Sequence, residues 1–181
     1  MLALLYAREA ATGGVASPVV GITRLEKLLF LAKIEESFLR NVTEEQDFHF
    51  IPFRMGPWTQ EVYDEIDFLE SIGLLEKKER GEVSVEDEAH NNELFSDLLL
   101  DKYQSDAFSR NEATDSFQLT EDGRKKASEI WLRLSDEERQ KLIRLKRKFN
   151  NMNLRQFLRY VYAKYPEYTE ASEIKEYLNI H

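Results

Sequence analysis

Residues 69–75 read LESIGLL, and residues 117–123 read FQLTEDG. Apolar residues lead up to the glycine of the first stretch at spacings of four, three and three, which predicts one buried face of a helix. They are Val62, Ile66, Leu69 and Ile72. Gly73 predicts the end of that helix, because glycine readily adopts the left-handed conformation common at helix ends. Residues 74–78 then predict a short strand.

The second stretch predicts the partner of that strand and the start of another helix. Residues 116–119 predict a strand that pairs with residues 74–78, and Thr120 predicts the N-cap of a helix that reaches Leu134. A capped helix, two paired strands and a second helix are typical of a winged helix. We therefore predict a mainly α protein with a small antiparallel β wing, built on a winged-helix-like core.

Three segments precede this pattern. A first short helix is expected to pack Leu2, Leu5 and Tyr6 into the core. Residues 22–39 carry apolar side chains at helical spacing, and the charged residues among them predict a mostly solvated side. Those charged residues are Arg24, Glu26, Lys27 and Lys33. Residues 48–53 are rich in aromatics and predict an extended segment, followed by a Gly56-Pro57 turn and an N-cap at Thr59.

The last third of the chain predicts further helices. Ser135 and Glu138 match a capping box that opens a helix carrying Leu142, Leu145 and Phe149. Residues 154–162 and 172–178 predict two more helices. We predict a winged-helix-like domain over residues 1–134, with an acidic insert in the wing at about 79–116, and a C-terminal helical extension over residues 135–181 that packs on it.

The charge of the chain is concentrated in that insert. The 181 residues carry a net charge of -9, and residues 79–116 hold eleven acids and three bases. The rest of the chain is therefore close to neutral. Overall acidity argues against strong, sequence-independent attraction to a phosphate backbone, which requires clustered Lys and Arg.

The expected compartment follows from cysteine content and hydropathy. The chain has no cysteine, which excludes disulfides and Cys-based zinc sites and fits a reducing cytoplasm. The apolar start, residues 1–7, is short and lacks preceding basic residues, so we do not expect a signal peptide. No uncharged apolar run reaches the ~18 residues of a membrane-spanning helix. We predict a cytoplasmic protein without a membrane partner.

Catalytic patterns are almost lacking. The three histidines, His49, His90 and His181, show no metal-ligand spacing. Residues 87–90 spell DEAH, but the chain has no phosphate-binding loop to accompany it. Neither a nucleophile elbow nor a dinucleotide fingerprint is present. We predict a non-enzymatic protein with neither cofactor nor metal.

The helix before the predicted wing is acidic. In DNA-binding winged helices this helix enters the major groove, yet no Lys or Arg lies between Thr59 and Glu76. Carboxylates facing phosphates would repel them, so we expect this helix to face a protein. The predicted protein-binding residues are Trp58, Glu61, Asp64, Glu65, Glu86, Asp87 and Glu88. A basic partner is expected, and whether the protein forms homo-oligomers stays open.

Basic residues in two other segments support an alternative, a winged-helix transcriptional regulator that contacts DNA through the basic helix 139–148. Solvation and pairing with nearby acids explain such a run more often than a nucleic-acid site does. The candidate residues are Arg124, Lys125, Lys126, Arg139, Arg144, Lys146, Arg147 and Lys148.

Four short motifs give the chain a family resemblance. They are residues 22–32 (ITRLEKLLFLA), 53–58 (FRMGPW), 61–63 (EVY) and 69–75. Over roughly residues 1–135 the sequence resembles the SocA-like Panacea domain family and related phage-associated or archaeal winged-helix proteins. Met55 stands where the family has an aromatic residue, and the acidic insert is a second departure. The resemblance implies a non-catalytic domain that binds and neutralises a protein partner, often as an antitoxin. We therefore predict an antitoxin-like or adaptor-like binding module.

Overall fold

The computed structural model describes residues 1–7, 17–35, 48–78, 115–176 and 178. These ranges are mainly helical, with a small antiparallel sheet. Their helices are α1 (Leu2–Tyr6), α2 (Ile22–Ile34), α3 (Gln60–Ser71), α4 (Glu121–Arg133), α5 (Asp136–Phe149) and α6 (Leu154–Lys164), followed by a 3-10 turn at Pro166–Tyr168. The prediction of a mainly α protein with a small antiparallel sheet is confirmed.

The strands form two separate units. They are β1 (Val19–Val20), β2 (Ile51–Phe53), β3 (Gly56–Trp58), β4 (Leu75–Lys78) and β5 (Ser116–Leu119). The predicted pairing of β4 with β5 is confirmed, with Leu75 opposite Leu119. Strand β1 joins the other side of β5, which gives the order β1-β5-β4. Strands β2 and β3 make a hairpin of their own.

Strand β1 was not predicted from the sequence. It is only two residues long, so it offers no alternation of polar and apolar residues to detect. Its position is nevertheless important, because it places the start of α2 beside β5. The backbone N–H of Gly21 at this junction donates to the carbonyl of Asp115 at 2.7 Å.

Helix α2 lies at the centre of the molecule, with side chains buried on every side. The predicted solvated side of this helix is therefore wrong, since Arg24, Glu26 and Lys27 are all buried. The run of leucines with Phe30 makes α2 apolar almost all round, as expected of a helix in the core. Its charged residues are buried because other elements cover them.

The ends of α3 and α5 follow the predicted local chemistry. Thr59 caps α3 by accepting from the N–H of Glu61, and Ser135 and Glu138 form the complete capping box of α5. Gly73 has φ 70°, and the N–H of Leu74 bonds the carbonyl of Leu69 at 2.9 Å, which closes α3 with a Schellman-type turn.

Three predictions about local structure are wrong in detail. Ile72, assigned to the buried stripe of α3, is 49% exposed, because the helix ends at Ser71. Residues 172–176 form turns and bends instead of a helix. The Gly56-Pro57 pair begins β3, and the turn lies one step earlier, at residues 54–55.

One apolar core joins the described elements. Helix α1 packs against α4 and α5, and α2 packs against α5. Leu142, Leu145 and Phe149 of α5 are buried in this core together with Phe157 and Val161 of α6. The predicted domain boundary after Leu134 is not tested by this packing and stays a prediction.

Candidate functional site

Helix α3 is held in place by its inner stripe and its two ends. Val62, Ile66 and Leu69 are buried against the core. The capped N-terminus and the Schellman-type turn at Gly73 supply partners for backbone groups that a helix end otherwise leaves unsatisfied. The opposite side of α3 is consequently presented to solvent on a rigid support.

We call that exposed side the outer face of α3. It comprises Gln60, Asp64, Asp67, Phe68, Ser71 and the C-cap residue Ile72. Phe68 is 59% exposed and Ile72 is 49% exposed. They are four positions apart, so they are neighbours on consecutive turns of the helix surface. A phenylalanine and an isoleucine side by side in water are a feature that a protein contact would bury.

Phe68 was missed as a candidate residue. The signal was present in the sequence, because Phe68 is about 100° from Leu69 around a helix and so lies off the buried stripe. An aromatic residue on the polar side of an amphipathic helix needs an explanation of its own.

The carboxylates of the outer face are only partly engaged. Asp64 accepts from the side-chain amide of Gln60 at 3.1 Å. Within the described ranges neither Asp64 nor Asp67 has an ion-pair partner. The predicted Asp64 and its neighbour Asp67, which was not predicted, therefore remain accessible to a cationic group.

Glu61 and Glu65 lie at the border of this face and are engaged. The Glu61 carboxylate accepts from the backbone N–H of His49 at 2.6 Å and lies 2.9 Å from its imidazole Nδ1. Partial burial is the largest single influence and raises the pKa of Glu61, but the hydrogen bonds from His49 and Thr59 together outweigh it and lower that pKa. Glu65 lies 3.4 Å from the amino group of Met1. Both acids help to position α3.

Trp58 lies at a different place from the exposed apolar pair. It is half-buried in β3, with its ring 4.9 Å from Phe53 and 6.3 Å from Tyr63. Tyr63 and Phe68 are five residues apart, about 140° around a helix. Trp58 therefore belongs to the aromatic side of the β2–β3 hairpin, and the structure does not bring it to the outer face of α3.

Little of the acidic insert lies within the described residues. Glu86, Asp87 and Glu88 lie outside the described residues. Asp115, at the end of the insert, is buried, and Lys77 of β4 reaches its carboxylate at 2.9 Å. Asp115 is thus a structural residue of the sheet and not part of an accessible acidic surface.

The basic candidates of α5 do not all lie on its surface. Lys146 was predicted to contact nucleic acid, and this is wrong because its side chain is buried. Its ammonium group donates to the carbonyl of Leu5 at 2.8 Å, near the end of α1. Helix α1 ends there without a continuing turn, and Lys146 provides a donor for one of its last carbonyl groups.

Other cations of α5 are held by neighbours. Arg139 donates to the carbonyls of Trp131 and Leu132 and pairs with Asp136, and Lys141 lies 3.1 Å from Glu137. The remaining three candidates are exposed: Arg144, Arg147 and Lys148. The ammonium of Lys148 lies 4.3 Å from the ring centre of Tyr160, so it covers an aromatic side chain of α6.

The weaker basic patch at the start of α4 is exposed but largely neutralised. Lys125 pairs with both Glu121 and Asp122, and Lys126 pairs with Glu129. Hydrogen bonds raise the pKa of Lys125, the bond to Asp122 more than the bond to Glu121. Arg124 is exposed beside them. Alternating charges of this kind make a solvated helix face.

A buried ion pair in α2 was also missed by the sequence analysis. The Lys27 ammonium lies 2.7 Å from the Glu26 carboxylate and donates to the carbonyl of Pro57 at 2.6 Å. The other Glu26 oxygen accepts from the backbone N–H of Thr59 at 3.2 Å. Burial raises the pKa of Glu26, although Lys27 and Thr59 oppose this. The pair anchors the junction between β3 and α3 to the central helix.

The motif residues that carry the family resemblance meet around this ion pair. Lys27 comes from the first motif and Pro57 from the second. Gly56 has φ 88°, and a Cβ placed on it would lie 2.9 Å from the Tyr162 ring of α6. Lys27, Gly56 and Pro57 are buried, so these residues of the first two motifs determine how α2, the hairpin and α6 pack.

Among the described residues, no three side chains of His, Cys, Asp or Glu are arranged to hold a metal ion. In the same ranges no helix combines the length and apolarity needed to cross a bilayer. No family model, curated protein or solved structure matches the chain.

Proposed function

We propose that the protein is a non-catalytic, winged-helix-type binding module that recognises a protein partner through the outer face of α3. The observation that carries this proposal is the exposed pair Phe68 and Ile72, accompanied by accessible carboxylates at Asp64 and Asp67. The antitoxin-like or adaptor-like role rests on the resemblance to the Panacea domain family.

The order of elements supports the winged-helix part of this proposal. Leaving aside the β2–β3 hairpin, the chain runs helix, strand, helix, helix, strand, strand, helix from α1 to α4. The first strand lies beside the last one in an antiparallel sheet of order β1-β5-β4. This is the arrangement expected for a winged helix, with α3 in the position of the recognition helix and the β4–β5 connection in the position of the wing.

The charge of α3 favours a protein partner over DNA. A recognition helix in the major groove lies close to phosphates on both sides, where cations are required. The outer face of α3 instead offers Asp64 and Asp67 with no base between Thr59 and Glu76. Apolar side chains with accessible acids suit a protein surface, because burying Phe68 contributes affinity and the acids contribute orientation.

Affinity capture from the native host tests this proposal. The bait would be the wild-type chain, the double variant Phe68→Ser/Ile72→Ser, and Leu132→Ser as a matched control, since Leu132 of α4 is 74% exposed. We expect a protein that the wild type and Leu132→Ser retain from nuclease-treated lysate and that the double variant loses. If every captured protein is retained equally by all three baits, the outer face of α3 is not the binding surface and the proposal fails.

A further inference from the structure

We propose that the segment bound by the outer face of α3 is a basic amphipathic helix of the partner. This inference rests on the proposed function and adds the chemistry of the partner to it. The juxtaposition that supports it is the exposed pair Phe68 and Ile72 beside two accessible carboxylates, Asp64 and Asp67.

The positions around α3 define this arrangement. With about 100° per residue, Phe68 and Ile72 are only about 40° apart. Asp64 lies about 40° to one side of Phe68, and Glu65 lies about 20° to the other side of Ile72. An apolar strip one turn long is therefore bordered on one side by the accessible carboxylates of Asp64 and Asp67. On its other side the Glu65 carboxylate lies 3.4 Å from the Met1 amino group. Accessible acids beside an apolar strip are the reverse charge pattern of a helix with lysines beside its leucines.

The backbone of α3 restricts the kind of segment that can dock there. Its N–H and carbonyl groups are used inside the helix, and its two ends are capped. A partner strand adds to an open sheet edge through main-chain hydrogen bonds, and the outer face of α3 offers no such edge. A helix packs by side chains alone, with apolar residues at i, i+3 and i+4 fitting between the side chains of the other helix.

The carboxylates of the outer face favour a docked helix with positively charged side chains. Asp64 and Asp67 have no ion-pair partner in the described ranges, so lysine or arginine on the flanks of a docked helix would meet accessible carboxylates. Glutamate at the same positions would be repelled. Screening by salt acts strongly on such exposed pairs, so the preference should weaken as ionic strength rises.

Binding of designed peptides to the full chain tests the inference. The probe is a fluorescent helical peptide with leucines at helical spacing and lysines on the flanks, and its control is the same peptide with glutamate in place of lysine. By fluorescence anisotropy we expect the lysine peptide to bind at least about tenfold more tightly than the glutamate peptide. Phe68→Ser/Ile72→Ser should weaken the lysine peptide by about tenfold or more, and Leu132→Ser should not.

A variant without the two carboxylates separates their contribution to affinity from that of the apolar side chains. Asp64→Asn/Asp67→Asn should lower affinity for the lysine peptide by about threefold to tenfold and flatten its salt dependence, while leaving the apolar contribution in place. Equal binding of both peptides, or unchanged binding by the Phe68→Ser/Ile72→Ser variant, overturns the inference. Self-association of the chain that depends on Phe68 in sedimentation also overturns it, because the face then belongs to a second copy.

The capture experiment distinguishes this failure from failure of the proposed function. If lysate capture depends on Phe68 and Ile72 but the lysine peptide binds no better than the glutamate peptide, the inference is overturned and the proposed function stands. If neither capture nor peptide binding depends on these two residues, both are overturned.

Discussion

Gly123 lies where α4 begins, next to Leu74 at the start of β4. The hydroxyl of Thr120 accepts from the N–H of Gly123 at 3.0 Å and donates to the carbonyl of Gly73 at 2.7 Å. The N–H of Thr120 also donates to the carbonyl of Leu74 at 3.2 Å. The backbone of α4 is drawn so close to Leu74 that there is no space for a side chain at position 123.

We expect Gly123→Ala to destabilise the protein by about 2 kcal/mol or more, because its Cβ would overlap the Leu74 carbonyl oxygen. Gly73→Ala is the matched control. At Gly73 the φ of 70° disfavours alanine, but nothing lies within 4 Å of the new Cβ, so its cost should be about 1 kcal/mol. Urea unfolding measures both, and a smaller loss for Gly123→Ala than for Gly73→Ala would refute the close approach.

Lys146 gives the second prediction at this scale. We expect Lys146→Met to lower the free energy of unfolding by about 1–3 kcal/mol, since it leaves the buried Leu5 carbonyl without this donor. Arg144→Met, on the exposed side of the same helix, should change it by no more than about 0.5 kcal/mol. Equal effects of the two substitutions in chemical denaturation would show that Lys146 does not act as a buried structural residue.

At the scale of elements, α6 is tied to the end of α2 by charged and aromatic groups. The Glu35 carboxylate accepts from the Tyr160 hydroxyl and from the Lys164 ammonium, each at 2.8 Å. Burial is the largest single influence and raises the pKa of Glu35, but the bonds from Lys164 and Tyr160 outweigh it and lower that pKa below 4.5. Burial has the largest influence on the neighbouring Tyr165, and together with Glu35 it raises the pKa of Tyr165 to about 12.

The bonds of Glu35 with Tyr160 and Lys164 predict a contribution to stability that depends on pH. Because the folded pKa of Glu35 is depressed, its contribution should be complete above about pH 4.5 and lost as pH falls through the lower folded value. The difference in free energy of unfolding between wild type and Glu35→Gln should therefore shrink below pH 4.5. Glu170→Gln, at an exposed residue, should follow the wild-type pH profile. A Glu35→Gln difference that is constant from pH 7 to pH 3 would contradict this assignment.

At the scale of the whole molecule, burial and ion pairs reduce the predicted basic set to a few exposed cations among the described residues. Of the eight predicted basic residues, Lys146 is buried and Arg139 is half-buried. Lys125 and Lys126 are exposed but pair with acids of α4. The other four are exposed: Arg124, Arg144, Arg147 and Lys148. Lys148 also lies over the ring of Tyr160. The net charge of -9 adds long-range repulsion of phosphates.

We therefore expect no retardation of double-stranded DNA in gels at about 0.15 M salt, and a dissociation constant weaker than about 10⁻⁴ M by anisotropy. Binding seen only at very low salt would be non-specific. A complex that survives at 0.15 M salt and is abolished by Arg144→Ala/Arg147→Ala would contradict this prediction and support the alternative, a DNA-binding regulator.

Local chemistry explains which features could be predicted from the sequence. The caps at Thr59 and Ser135, the helix end at Gly73 and the pairing of β4 with β5 were all predictable. Each depends on residues a few positions away or on a periodic pattern, and both are visible in the sequence. The acidic character of α3 could be predicted for the same reason.

Only the tertiary structure decided which charged and apolar residues meet solvent. The buried Lys146 donates to a carbonyl 141 positions away in the chain, and the buried Lys27 donates to one 30 positions away. Phe68 is exposed because the core is filled by Val62, Ile66 and Leu69. Burial is set by what packs against a side chain, and sequence spacing alone does not reveal distant neighbours. The sequence thus determined most of the helices, their caps and the pairing of β4 with β5, whereas tertiary packing determined which charged and apolar side chains meet solvent.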